Sequence, residues 1–293
     1  MQILRSSTHG MARLLQRNAS QLTGQIRQAE SEIITGMSVQ RPSDDPTAAA
    51  QALRLQGLIN DQSVYERNSV AAQSLLGQAE TAMADAGDLL KRAKELAIAG
   101  ASESWSSADR QVMATEVEML RSQLLDLANT RVGTRYIFSG DAYDTEAFDE
   151  SATYTGGSEE PVIQVSANQT ESVGFDGSEV FQGDVDLFAV LEDLQTALED
   201  NDADGVSAVI DDLTDGHEQI VEWRAVVGHS YAVTEDAIDT AGNVEAMLQT
   251  ELDGLVGIDE TEVYLRLAEL RTAYEAAMRV GGTSVSGTLF SYL

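Results

Sequence analysis

The sequence predicts a mainly α protein: an elongated antiparallel bundle of long helices, with paired helices at the chain ends and a small inserted β domain. Apolar residues recur at heptad spacing along three long tracks. Between the second and third tracks, over residues 140–184, that period gives way to short β-branched segments punctuated by glycine. Both chain ends carry amphipathic stretches of similar length.

At the N-terminal end Ala12, Ala19, Ile26 and Ile33 alternate in heptad spacing with Leu15, Leu22 and Ala29. Pro42 and Pro46 then restrict the backbone, each pushing its preceding residue away from helix, and Ser43, Asp44 and Asp45 can cap the next helix. The first long track runs Leu55, Gln62, Ser69, Leu76, Met83, Leu90, Ala97, with a companion at Leu58, Tyr65, Ala72, Ala79, Ala86, Ala93, Gly100. At about 1.5 Å per residue such a helix is a rod of about 69 Å. Its small residues let a neighbouring helix approach closely.

After a Ser-rich break, Ser106 and Asp109 form a capping box that starts a second helix with the stripe Met113, Val117, Leu120, Leu124, Leu127. Gly133 and Tyr136 to Gly140 end it. In the insertion, residues 152–155, 162–165 and 172–175 read as strands, a unit too small to stand without the helical body. The third track is Leu213, Ile220, Val227, Thr234, Ala241, Leu248, Leu255, and the last stretch is Val263, Leu267, Leu270, Tyr274, Ala277, with Leu289, Phe290 and Leu293 beyond it. The expected organisation is 1–44 with 258–293 as a terminal coiled-coil region, 45–139 with 185–257 as a long-helix bundle, and 140–184 as the β insertion.

One hairpin of the two ends leaves much apolar surface wet, which predicts assembly; the alternative is that both ends fold back on the bundle. The strips concerned are Leu15, Leu22, Ile26, Ile33, Val263, Leu267, Leu270, Tyr274, Leu289 and Leu293. Such ends are expected to order fully only with partners present.

Charge is distributed unevenly over these elements. The chain carries 18 Lys and Arg against 49 Asp and Glu, a net of −31. Residues 141–262 hold 32 of the acids and a single base, Arg224, while the remaining residues hold 17 of each sign. An acidic surface of this kind repels phosphate, so nucleic-acid and membrane-surface partners are excluded. Absence of Cys removes disulfides, zinc–thiolate sites and thiol nucleophiles together. The N-terminus does not read as a cleaved secretory signal, and no apolar run is long enough to span a bilayer.

Ile34 to Pro46 (Ile-Thr-Gly-Met-Ser-Val-Gln-Arg-Pro-Ser-Asp-Asp-Pro) resembles the segment joining terminal and central helices in flagellins and their relatives. Its Pro42-Ser-Asp-Asp-Pro46 form is more similar to the hook–filament junction proteins of the flagellin superfamily than to flagellin itself. Asn129 to Gly140, Tyr154-Thr-Gly, Gly177 to Phe181, Arg224-Ala-Val-Val-Gly228, Ala273 to Ala277 and Thr288 to Leu293 resemble that family in the same order. The resemblance implies a flagellin-like fold and a structural adaptor, one ring between the hook-side junction protein and flagellin. It implies partners of those two kinds, copies of the chain itself and an export chaperone. It also implies export through the flagellar type III apparatus without a cleaved signal, to an extracellular place on the bacterial flagellum. The joint motif becomes Arg41, Pro42, Ser43, Asp44, Asp45 and Pro46. The apolar strips become the inner assembly interface, and the β insertion faces outward. A minor flagellin is the alternative within this class.

Chemistry offers little else. Asp200, Asp202, Asp204 and Asp211 match calcium-loop spacing, with Asp in place of the closing Glu, so a calcium-regulated extracellular binding module is a competing reading. The plain reading of that stretch is an acidic turn capping a helix. His9, His217 and His229 are too scattered for a metal or a catalytic base, Lys91, Arg92 and Lys94 read as salt-bridging residues, and Trp105 and Trp223 as packing residues. No constellation makes an enzyme, and no cofactor is expected.

Overall fold

The computed structural model describes the backbone of residues 2–290 and the side chains of residues 13–280. Helices dominate it, at 72% of the chain, with two small antiparallel sheets among the described residues, so the chain is mainly α as expected. The elements run α1 (Gln2–Thr35), α2 (Pro46–Gly100), α3 (Ser107–Ala128), β1 (Arg131–Val132), β2 (Arg135–Tyr136), β3 (Val162–Ser166), β4 (Gln169–Ser172), α4 (Gly177–Gln182), α5 (Leu187–Glu199), α6 (Ala203–Val256) and α7 (Glu260–Phe290). They fall into two compact units, residues 1–60 with 245–293, and residues 61–244.

The 61–244 unit has one continuous core. Leu76, Met83 and Leu90 of α2 and its seam of Ala72, Ala79, Ala86 and Ala93 are fully buried, as are Leu213, Ile220, Val227 and Thr234 of α6. Small residues on α2 leave room for α6: a Cβ placed on Gly87 would stand 3.4 Å from the His217 ring. Helix α3 opens on the capping box read from the sequence, Ser106 accepting from the Asp109 amide. Its buried stripe is Met113, Val117, Leu120 and Leu124, and α5 packs against it.

The insertion forms less sheet than its composition suggests. β1 pairs with β2 around Gly133, whose φ of 63° is open to glycine at no steric cost. β3 pairs with β4 with Val162 opposite Ser172 and Gln164 opposite Thr170, and the register shifts between Gln164 and Ser166. Residues 152–155 supply only a single bridge, Tyr154 to Phe148, and residues 173–175 lie beyond β4. What organises this region is aromatic packing. Phe138, Phe148, Phe175 and Phe181 are all fully buried and belong to the same core as the helices. Phe138 meets Phe181 edge-on at 5.1 Å, Phe148 meets Phe188 of α5 at 5.1 Å, and Phe175 meets Trp223 of α6 at 6.3 Å. Asn68 of α2 donates to the Gln164 carbonyl at 2.8 Å, fastening the β3–β4 hairpin to the same body.

Two expectations are corrected here. Leu58 is 42% exposed, because the buried step from Leu55 is four residues, to Ile59, and not three. Trp105 is 43% exposed at the turn after α2 and is not a core residue.

Candidate functional site

Two features of the 1–60 and 245–293 unit carry the candidate site: the joint between α1 and α2, and the pairing of α1 with α7. Helix α1 ends at Gly36, whose φ of 70° ends the helix in the left-handed region and whose amide still reaches the Glu32 carbonyl at 2.8 Å. The chain then reads along the end of α6. Met37 bridges Gly257, and both the amide and the hydroxyl of Ser38 donate to the Val256 carbonyl at 2.7 and 3.0 Å.

The joint motif is wholly exposed. Its two aspartates divide the work. Asp45 alone caps α2, its Oδ1 accepting from the amides of Thr47 at 2.9 Å and Ala48 at 3.0 Å, with Pro46 as the first helical residue, where no amide is needed. Asp44 instead closes the turn before it, accepting from the amides of Arg41 at 3.0 Å and Gln40 at 3.3 Å. Ser43 leans on Asp44 at 3.4 Å and caps nothing.

The terminal helices pair with each other around Ala29, Val263 and Leu267, which are buried, with Ile26, Ile33, Ile258 and Leu270 packed around them. Leu15, Leu22 and Tyr274 are half-buried. The side chain of Leu289 and the whole of Leu293 lie outside the described residues. Much apolar surface on this unit remains in water: Ile34 is 83% exposed, Leu53 72% and Leu265 63%, with Leu58, Met247 and Tyr264 also exposed.

The sequence reading missed the polar clamp on this pair. Glu32, only 5% exposed, accepts from Arg266 of α7 and from Gln28 at 3.0 Å, and Glu30 pairs with Arg271 at 2.8 Å. A usable signal is present, since Glu30 and Glu32 are the only acids before residue 44 and flank the apolar strip. Also missed was Arg110, 5% exposed, which donates to the carbonyls of Gly100 at 2.8 Å and Ser102 at 3.0 Å and to Asn201. It ties the end of α2 to the α5–α6 turn.

The four aspartates with calcium-loop spacing are spread over a turn and a helix. Helix α6 begins at Ala203, so Asp204 and Asp211 already belong to its first turns, whereas a calcium loop needs most of its twelve residues free to wrap the ion. Among the described residues no cluster of three or more His, Asp or Glu could hold a metal. Asp200 ends α5, and Asn201, at φ 55°, turns the chain into α6.

Other singled-out residues serve structure. Lys91 pairs with Asp88 at 3.0 Å, Arg92 with Glu116 at 2.7 Å and Glu95 at 2.9 Å, and Lys94 donates to Thr214 at 2.7 Å. Arg224 holds Glu80. His217 is held below its ordinary pKa by desolvation and by Lys91, and its Nδ1 has no partner. Burial and the nearby Asp176 push the Tyr154 hydroxyl far up, so it stays protonated and donates to the Gly157 carbonyl at 2.7 Å. Ser106 holds the Asp109 carboxyl below the usual range.

The chain is similar to flagellar proteins of several bacteria. A family model described as the bacterial flagellin N-terminal helical region matches residues 7–142. Flagellar hook-associated protein 3 of Escherichia coli is 28% identical over 94% of this chain and 95% of its own. The chain is a homologue of flagellar hook-associated protein 3. A flagellin of Halalkalibacterium halodurans is more distant from it, 21% identical over 83% of this chain and 82% of its own. Among solved structures, FlgL of Bacillus cereus superposes with a TM-score of 0.62 at 19% identity, covering 68% of this chain and 99% of that one, which shows the shared fold.

Proposed function

We propose that the chain is the structural adaptor between hook and filament of the bacterial flagellum, forming one layer between the hook-side junction protein and flagellin. The single observation that carries this is the apolar surface left wet on the unit of chain ends, on a chain similar to hook-associated protein 3 over 94% of its length. The α1–α7 pairing uses Ala29, Val263 and Leu267 within the molecule. Ile34, Leu53, Met247 and Leu265 therefore remain for other subunits. Each aliphatic side chain buried in that layer contributes about 1.5–3 kcal/mol, which offsets the cost of ordering the ends.

Three further elements of the proposal come from the resemblance: copies stand side by side in a ring, an export chaperone guards the ends, and the chain leaves the cell through the type III apparatus. None of these roles requires catalysis. A strain supplied with an Ile34→Glu/Leu265→Glu variant tests the assignment. The variant is expected in the culture medium, exported but unassembled, with hooks that carry no filament. Filaments attached at wild-type frequency would sink the assignment. A minor flagellin would instead lengthen from filament seeds when purified, and no such growth is expected.

A further inference from the structure

We propose that a groove between the start of α2 and the end of α6 receives Leu53 of a second copy of the chain, so that each copy in the layer carries one knob and one hole. The inference rests on the adaptor reading above and names a contact between its copies. The groove holds about 390 Å³ and is lined by Gln51, Arg54 and Leu55 of α2 and by Glu251, Gly254 and Leu255 of α6. Leu55 is buried and Leu255 half-buried, which gives it an apolar floor, while Gln51, Arg54 and Glu251 are exposed and give it a polar rim. Gly254 keeps the mouth open, since a Cβ placed there meets nothing within 4 Å. That volume suits a side chain or two, not a helix.

Leu53 stands on the other side of the same helical turn. At about 3.6 residues per turn it lies roughly 160° around α2 from both Gln51 and Leu55, so it points away from the groove at the same height along the helix. It is 72% exposed. Gly57, one turn further on, is open in the same way as Gly254, with nothing within 4 Å of a Cβ placed on it. A large aliphatic side chain beside a glycine therefore protrudes where the groove recedes.

The occupant follows from this placement. A knob and a hole on opposite sides of one turn make a heterologous contact, in which every copy uses both faces and repetition around a ring leaves neither unmet. Because the two lie at one height, copies standing side by side meet without sliding along their axes. A two-fold pair cannot make both contacts, since the knob and the hole of one copy face opposite ways. A different protein seated in the groove would leave Leu53 in water. Burial of Leu53 on the apolar floor supplies the attraction, and the polar rim closes around it.

Cross-linking on assembled hooks tests the contact. The chain has no Cys, so a Leu53→Cys/Gly254→Cys variant offers these two thiols and no others. Hook–filament structures that carry it, treated with a short bis-maleimide, are expected to yield a ladder of dimers, trimers and higher multimers of this chain. Each single-cysteine variant is expected to stay monomeric, and the two singles co-expressed to stop at dimers. A missing ladder on hooks that carry the chain, or dimers from one single variant alone, would overturn the contact. Filling the hole from within is a second readout. Gly254→Phe is expected to cut the fraction of hooks bearing filaments by about tenfold or more, with unchanged circular dichroism, while Gly254→Ala leaves it at the wild-type value. Filaments at wild-type frequency with Gly254→Phe would likewise overturn it. Those outcomes, with the chain in place on the hook, remove the contact alone; filaments that form with no copy of the chain on the hook would remove the adaptor reading and the contact with it.

Discussion

Arg110 shows how a single charged side chain can hold three backbone segments in register. It is buried without a carboxylate, its guanidinium satisfied by two carbonyls and the Asn201 amide oxygen. Arg110→Ala leaves these acceptors without donors, and since each charge-assisted bond is worth about 1.5–3 kcal/mol, the variant is expected to lose about 2–4 kcal/mol. Urea unfolding followed by circular dichroism measures this, and a loss under about 1 kcal/mol would show that water replaces the guanidinium freely. His217 provides a pH signature. Its folded pKa lies below the ordinary 6.5, through desolvation first and then through Lys91. As pH falls through about 6.5 the unfolded chain takes up this proton before the folded one does, so folding loses stability in that window. His217→Gln removes the contribution: wild type and variant are expected to keep a constant stability difference above neutral pH, with wild type losing ground below it. A difference that stays flat down to pH 5 would contradict the assignment.

At the scale of elements, the heptad tracks are what the sequence displays most legibly. Every track residue from Leu213 to Leu248 on α6 is buried, because a helix repeats its face whether the neighbours are known or not. The capping box at Ser106 is equally local and equally legible. The insertion is less legible. Phe138, Phe148 and Phe175 from loops and Phe181 from α4 converge onto one core, and no local period announces contacts between residues so far apart. The clamp between Glu32 and Arg266 is hidden for the same reason, its partners lying 234 residues apart. At the joint, Asp44 and Asp45 look equivalent in sequence, and only the backbone turn decides which one caps α2. Asp45→Ala is accordingly expected to cost about 1 kcal/mol, the usual worth of an N-cap. Asp44→Ala is expected to act mainly on the turn. Proteolysis at the joint separates them: Asp44→Ala should speed cleavage near residue 41 more than Asp45→Ala does, and equal rates would deny the division of roles.

For the molecule as a whole, the two units differ in what they offer. Residues 61–244 enclose a continuous core, whereas the unit of chain ends buries a smaller set, Ala29, Leu55, Ile59, Leu252, Val256, Val263 and Leu267 among them, and leaves Ile34, Leu53 and Leu265 in water. The acid is concentrated where the core is complete, and the neutral ends are where partners are needed. Removing residues 1–40 or 265–293 is therefore expected to leave a soluble, cooperatively folding body that no longer assembles. The most direct test is electron microscopy of hooks from a strain lacking this chain. The adaptor account predicts bare hooks ending in the hook-side junction layer, with flagellin released unassembled into the medium, and filaments restored when the purified chain is added. Hooks that still carry filaments of ordinary length would contradict it.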